Sequence, residues 1–84
     1  MIKPARRIRI DPAVARRARV AIITAQFNKK YTATLERHCC RTLETAGVPA
    51  KHLNTFAVPG ALEIPVVAKR LALSERYQVI IALG

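Results

Sequence analysis

The sequence predicts an α/β fold built on a parallel sheet, and three observations carry that expectation. Val20–Ala25 and Val79–Leu83 are short apolar runs rich in β-branched residues, with no alternation, as in strands buried on both faces. Two stretches between the candidate strands repeat their apolar residues at helical spacing. The resulting order, strand–helix–strand–helix–strand, has crossovers of the length that parallel, right-handed βαβ units need.

Each element has a local cause. Residues 1–18 form a basic N-terminal arm, which Pro4 and Pro12 punctuate and which is expected to be irregular. After the first strand comes a polar loop, Gln26-Phe27-Asn28-Lys29-Lys30. Residues 31–46 read as a helix: Leu35, Cys39, Leu43 and Ala46 draw one apolar stripe, Thr32 is placed as its N-cap, and Gly47 followed by Pro49 ends it. Cys39 is then a small core residue. Consecutive helical residues point about 100° apart, so His38 and Cys39 do not face each other as a reactive pair.

Residues 52–58 read as the second strand, which Pro59-Gly60 breaks. Residues 61–73 read as the second helix, with Ile64, Val67, Ala68, Leu71 and Ala72 on one face and Pro65 tolerated in the first turn. Ser74-Glu75-Arg76 links it to a third strand over residues 77–83. The two helices are expected to cover both faces of the sheet.

Composition narrows the classes. Eighty-four residues allow one small domain. The chain is 51% hydrophobic yet has no Trp and only two Phe and two Tyr, so its core must be aliphatic. No apolar run approaches the roughly 20 residues that span a bilayer, and Met1-Ile2-Lys3-Pro4 begins no secretory signal. A cytoplasmic protein without a membrane partner is expected. Cys39 and Cys40 are adjacent and offer no disulfide framework, and His38 and His52 have no metal-ligand spacing with them. No metal is expected.

Charge is uneven. The net charge is +10, and residues 1–19 carry seven basic side chains against Asp11 alone. Such an arm is either a solvated terminus or a surface for a polyanion. A groove-reading helix carries its basic residues on one face, whereas here they concentrate in the arm, which argues against nucleic acid. The Ile8-Arg9-Ile10 segment offers a further use, as a strand added to a neighbouring sheet or a lining for a shell.

Gly84 stands at the C-terminal tip of the third strand, the edge where open α/β sheets bind ligands. Two helices do not shield a sheet of such apolar strands. Residues 19–84 are therefore expected to be the front, β-α-β-α-β part of a larger domain.

Three segments carry a resemblance: Ala25-Gln26-Phe27-Asn28, then Val58-Pro59-Gly60-Ala61-Leu62-Glu63-Ile64-Pro65, then residues 77–84. From about Arg19 to Gly84 the chain resembles the 6,7-dimethyl-8-ribityllumazine synthases. The resemblance implies a flavodoxin-like three-layer α/β/α sandwich. It also implies an enzyme of riboflavin biosynthesis, a transferase that condenses 5-amino-6-(D-ribitylamino)pyrimidinedione with 3,4-dihydroxy-2-butanone 4-phosphate. No cofactor is implied. The partners implied are small-molecule substrates and copies of the same chain, in a pentamer or a 60-subunit shell with active sites between neighbours.

By the same resemblance, Phe27 stacks on the pyrimidinedione and Asn28 orients the loop or touches ligand. Gly60 admits the ligand to the backbone, Ala61 and Leu62 offer main-chain groups, and Glu63 accepts hydrogen bonds from ribityl hydroxyls. Without a ligand, Phe27 reads as a core residue and Glu63 as a first-turn acid complementing the helix dipole. The family usually has Arg where Gln26 stands. Its catalytic His and phosphate-binding loop follow the third strand, beyond Gly84, so no catalytic residue is assigned in this chain. The isolated chain is expected to be inactive.

Overall fold

A computed structural model describes residues 11–84. The elements are α1 (Pro12–Arg17), β1 (Val20–Ala25), α2 (Lys29–Thr45), β2 (Leu53–Val58), α3 (Ile64–Leu73) and β3 (Val79–Leu83), with 3₁₀ turns at Ala50–His52 and Ala61–Glu63. The strands form one parallel sheet in the order β2-β1-β3. This is the expected open α/β arrangement, consistent with the front part of a flavodoxin-like sandwich.

The central position of β1 explains why all six of its residues are buried. Successive side chains point to opposite faces. Val20 and Ile22 therefore join Cys39, Cys40 and Leu43 of α2, while Ile23 and Ala25 join Ile64, Val67, Ala68 and Leu71 of α3. The two helices lie on opposite faces, and Ile22 and Ile23, both fully buried, anchor one half-core each.

The end of α2 follows from its sequence. Gly47 adopts φ +110, a conformation that side chains resist. Its N–H donates to Glu44 O at 3.0 Å, and Val48 N–H donates to Leu43 O at 3.0 Å, the paired bonds of a Schellman ending. A Cβ on Gly47 would also meet Ala15 Cβ at 3.4 Å. Gly47→Ala is expected to cost about 1–2 kcal/mol, mainly through the left-handed backbone, and to lower the denaturation midpoint accordingly.

Several local expectations are corrected. Residues 12–17, expected to be irregular, form α1: Asp11 caps it, Oδ1 accepting from Ala13 N–H at 2.8 Å, and Pro12 supplies a first-turn residue that needs no donor. Ala15 is buried against Val20, Ile22 and Val48, which ties α1 to the α2 side of the sheet. Lys3, Arg6, Arg7, Arg9 and the Ile8-Arg9-Ile10 segment lie outside the described residues.

Thr32 is not the N-cap of α2. Asn28 is, and Thr32 sits buried in the first turn. Leu35 leaves the predicted stripe and is 49% exposed. Glu36 takes the inward position beside it, its Oε1 accepting from Thr24 Oγ1 at 3.1 Å. His52 belongs to a 3₁₀ turn before β2. The third strand starts at Val79 because Gln78 still serves Arg19: its N–H donates to Arg19 O at 3.0 Å and its Oε1 accepts from Arg19 N–H at 2.7 Å.

Both cysteines are free and partly buried, and both pack against the α2-side core. Burial, followed by the Glu36 carboxylate, holds the Cys39 thiol above its ordinary pKa. Cys40 is raised by burial first, then by Cys39, Glu36 and Glu44. A raised thiol stays protonated and weakly nucleophilic near neutral pH, and Cys39 packs against the α2-side core as a small core residue does.

Candidate functional site

Parallel strands deliver their following loops to one edge of the sheet, and this chain concentrates its unusual residues there. Ala25 at the end of β1, Gly60 after β2 and Gly84 after β3 contribute to a cleft of about 260 Å³, together with Phe27, Asn28, Thr32, Ala61, Leu62 and Glu63. All six residues singled out from the sequence (Phe27, Asn28, Gly60, Ala61, Leu62 and Glu63) thus line the same cleft. Ala25, Thr32 and Gly84 were missed. Gly84 carries a signal in its place at a strand tip, whereas Thr32 reads in the sequence as an N-cap.

The loop after β1 is held at both ends. Gln26 N–H donates to Val58 O at 2.8 Å, which carries the β1–β2 ladder one residue further and joins the two halves of the site. Asn28 O accepts from Tyr31 N–H at 2.9 Å and Thr32 N–H at 3.0 Å. Between these anchors Phe27 is 85% exposed, and Leu62 on the other loop is 91% exposed. Phe27 is therefore not a core residue. Large apolar side chains left open beside a cleft mark a surface for a partner or ligand, and an open aromatic face can stack on a planar ring.

The opposite wall, the loop after β2, carries the one charged side chain. Glu63 N–H donates to Gly60 O at 3.2 Å, closing the turn that presents Ala61 and Leu62. Gly60 has φ −150, ordinary extended backbone, so its reason is space. A Cβ there would lie 3.2 Å from Glu63 Oε2. Glu63 occupies the N-cap position of α3, yet its side chain makes no capping bond. The exposed carboxylate keeps its acceptor capacity for a ligand while its charge suits the helix N-terminus.

The cleft thus sets an exposed aromatic ring on one loop against the exposed Leu62 and a single carboxylate on the other. Neither histidine lines it. His38 shares a separate notch with Arg37 and Arg41 on the outer side of α2, and His52 Nδ1 is buried without a hydrogen-bond partner. Among the described residues, no group of three or more His, Cys, Asp or Glu is placed to hold a metal ion, and no helix is long and apolar enough to cross a membrane.

Known proteins resemble this chain in sequence. The family model described as 6,7-dimethyl-8-ribityllumazine synthase matches residues 17–84. A protein of that name from Coxiella burnetii (strain RSA 493 / Nine Mile phase I) is 44% identical over 66 residues, covering 79% of this chain and 44% of the relative. Its namesake from Neisseria meningitidis (serogroup C, strain FAM18) is 39% identical over 66 residues, covering 79% of this chain and 42% of the relative. The chain therefore spans less than half the length of these curated relatives. The match takes in all three strands, both longer helices and both loops of the cleft, and the chain belongs to the 6,7-dimethyl-8-ribityllumazine synthase family.

Proposed function

We propose that this chain supplies the pyrimidinedione-binding part of a lumazine synthase, a cytoplasmic transferase of riboflavin biosynthesis. The observation that carries this reading is the exposed Phe27 ring lining one cleft with the unengaged Glu63 carboxylate. Phe27 stacks on the heterocycle of 5-amino-6-(D-ribitylamino)pyrimidinedione, main-chain groups of Ala61 and Leu62 meet its polar edge, and Glu63 accepts from the ribityl hydroxyls. Asn28 and Gly60 shape the entrance.

The reaction joins this amine to 3,4-dihydroxy-2-butanone 4-phosphate. The 5-amino group attacks the ketone and water leaves to give an imine. Phosphate is then eliminated, and attack by the ribitylamino nitrogen closes the ring with loss of a second water. Holding both reactants in attack geometry accounts for much of the acceleration. A general acid–base group assists the proton transfers. By the family pattern that group is a His following the third strand, and the phosphate loop lies there too. The 84-residue chain alone is therefore expected to give no turnover. The complete enzyme is read as a homo-oligomer, a pentamer or a shell of 60 subunits, with small molecules and not nucleic acid as its ligands.

The test is a titration of the chain with 6,7-dimethyl-8-ribityllumazine, read by ligand fluorescence at several salt concentrations. Saturable binding that changes little with salt is expected. A response only to polyanions, falling steeply as salt rises, would replace this reading with one based on the basic arm.

A further inference from the structure

We propose that Thr32 is a positioning residue whose buried hydroxyl fixes the Phe27 loop onto the first turn of α2. The proposal rests on the reading of Phe27 as the ring that meets the ligand.

The N-terminus of α2 has few local reasons to hold together. Its N-cap, Asn28, makes no side-chain capping bond, and the first turn contains no acidic residue. Lys29 and Lys30 stand there instead, positive charges at the positive end of the helix dipole. Phe27, one residue before this end, depends on it for its direction.

Thr32 provides the missing tie. It is only 3% exposed although polar, and it lines the cleft. Its Oγ1 lies 3.2 Å from Asn28 O and 3.5 Å from Lys29 O, so the hydroxyl donates back into the turn that bears Asn28. Phe27 is then flanked by two fixed points. One is Gln26 N–H on Val58 O, made by backbone alone. The other is Asn28 O, and Thr32 adds a side-chain bond to it.

Back-bonding of a helical Thr is common and by itself proves nothing. The chain contains its own control. Thr34 Oγ1 donates to Lys30 O at 3.1 Å in the same i to i−4 pattern, but Thr34 is exposed and does not line the cleft. If the hydroxyl acts through position and not merely as a helix bond, Thr32 and Thr34 must differ.

The experiment uses Phe27→Trp, which makes residue 27 the sole tryptophan because the chain has none. Time-resolved anisotropy of that side chain measures the loop's freedom without a ligand. In this background Thr32→Val is expected to lower the residual anisotropy, while Thr32→Ser restores it and Thr34→Val leaves it unchanged. Thr32→Ala repeats the hydroxyl deletion without the extra methyl. With Phe27 intact, Thr32→Val is expected to weaken lumazine binding by about three- to tenfold, the scale of one net hydrogen bond. Thr32→Ser should bind as the parent does, and unfolding midpoints should track Thr34→Val. Equal anisotropy in the parent, Thr32→Val and Thr32→Ala overturns the proposal, as does an equal loss from Thr34→Val. A parent chain that binds no lumazine overturns the functional reading alone, since the anisotropy still decides whether Thr32 orders the loop.

Discussion

Ile23→Ala is expected to destabilise the chain by about 2–5 kcal/mol, the range for truncating a buried Ile to Ala. Ile23 has no exposed surface and lies at the centre of the α3-side core, with Ala25 and Val58 buried beside it and Ile64, Val67, Ala68, Leu71 and Ile80 packed around. It is flanked by parallel strands on both sides, paired with Phe56 and Ala82, so the backbone cannot readily close over a void. Small domains have stabilities of roughly 0.05–0.15 kcal/mol per residue, and a loss of this size removes a large part of what a chain this short can hold. A fall in the urea midpoint, with far-UV circular dichroism as the probe, measures it. Val66→Ala is the comparison. Val66 is on α3 but 63% exposed, and a change within about 0.5 kcal/mol is expected there. Similar losses from both substitutions would mean that the α3-side cluster is not a packed core.

The same packing explains which parts of the fold were legible in the sequence. β1 could be read because a central parallel strand must be apolar on both faces, and Val20–Ala25 has no polar residue except Thr24. Gly47 could be read because the Schellman ending needs a left-handed residue there. The phase of α2 was harder. Counting apolar residues favoured Leu35, but the inward face is set by Thr32, Cys39, Cys40 and Leu43, and it puts Glu36 inward. At that half-buried position Thr24 offers the carboxylate a hydroxyl, a partner 12 residues away that periodicity cannot reveal. At α1 a proline has two meanings: Pro12 bars a helix from running through it, and Asp-Pro also starts one. The six candidate residues line one cleft because loops after parallel strands share an edge, which strand order alone predicts. Thr32 escaped because its role depends on where the helix begins, and helix ends are the least certain feature of a sequence reading.

Glu63→Ala is expected to weaken binding of the ribityl-bearing ligand by about 1–3 kcal/mol, the usual size for losing hydrogen bonds to a charged group, or about 5- to 150-fold in Kd. Two roles compete for this carboxylate, and they predict different losses. As a partner of the helix dipole at the start of α3 it contributes about 0.3–1 kcal/mol to stability and nothing to ligand affinity. As an acceptor for hydroxyls it contributes to affinity. The geometry accommodates both, because the carboxylate stands at the N-terminus of α3, makes no bond to the helix backbone and is exposed at the cleft, beside the space kept by Gly60. Among the described residues, no other side chain lining the cleft carries a charge. Glu63→Gln keeps one acceptor oxygen without the charge and is expected to fall between the parent and Glu63→Ala. A lumazine analogue lacking the ribityl chain removes the partner instead of the carboxylate, and against it Glu63→Ala should bind as the parent does. Equal losses for both ligands would mean that Glu63 acts through the cleft's charge or shape. Unchanged affinity for both, with a small drop in stability, would leave it as a helix-end residue.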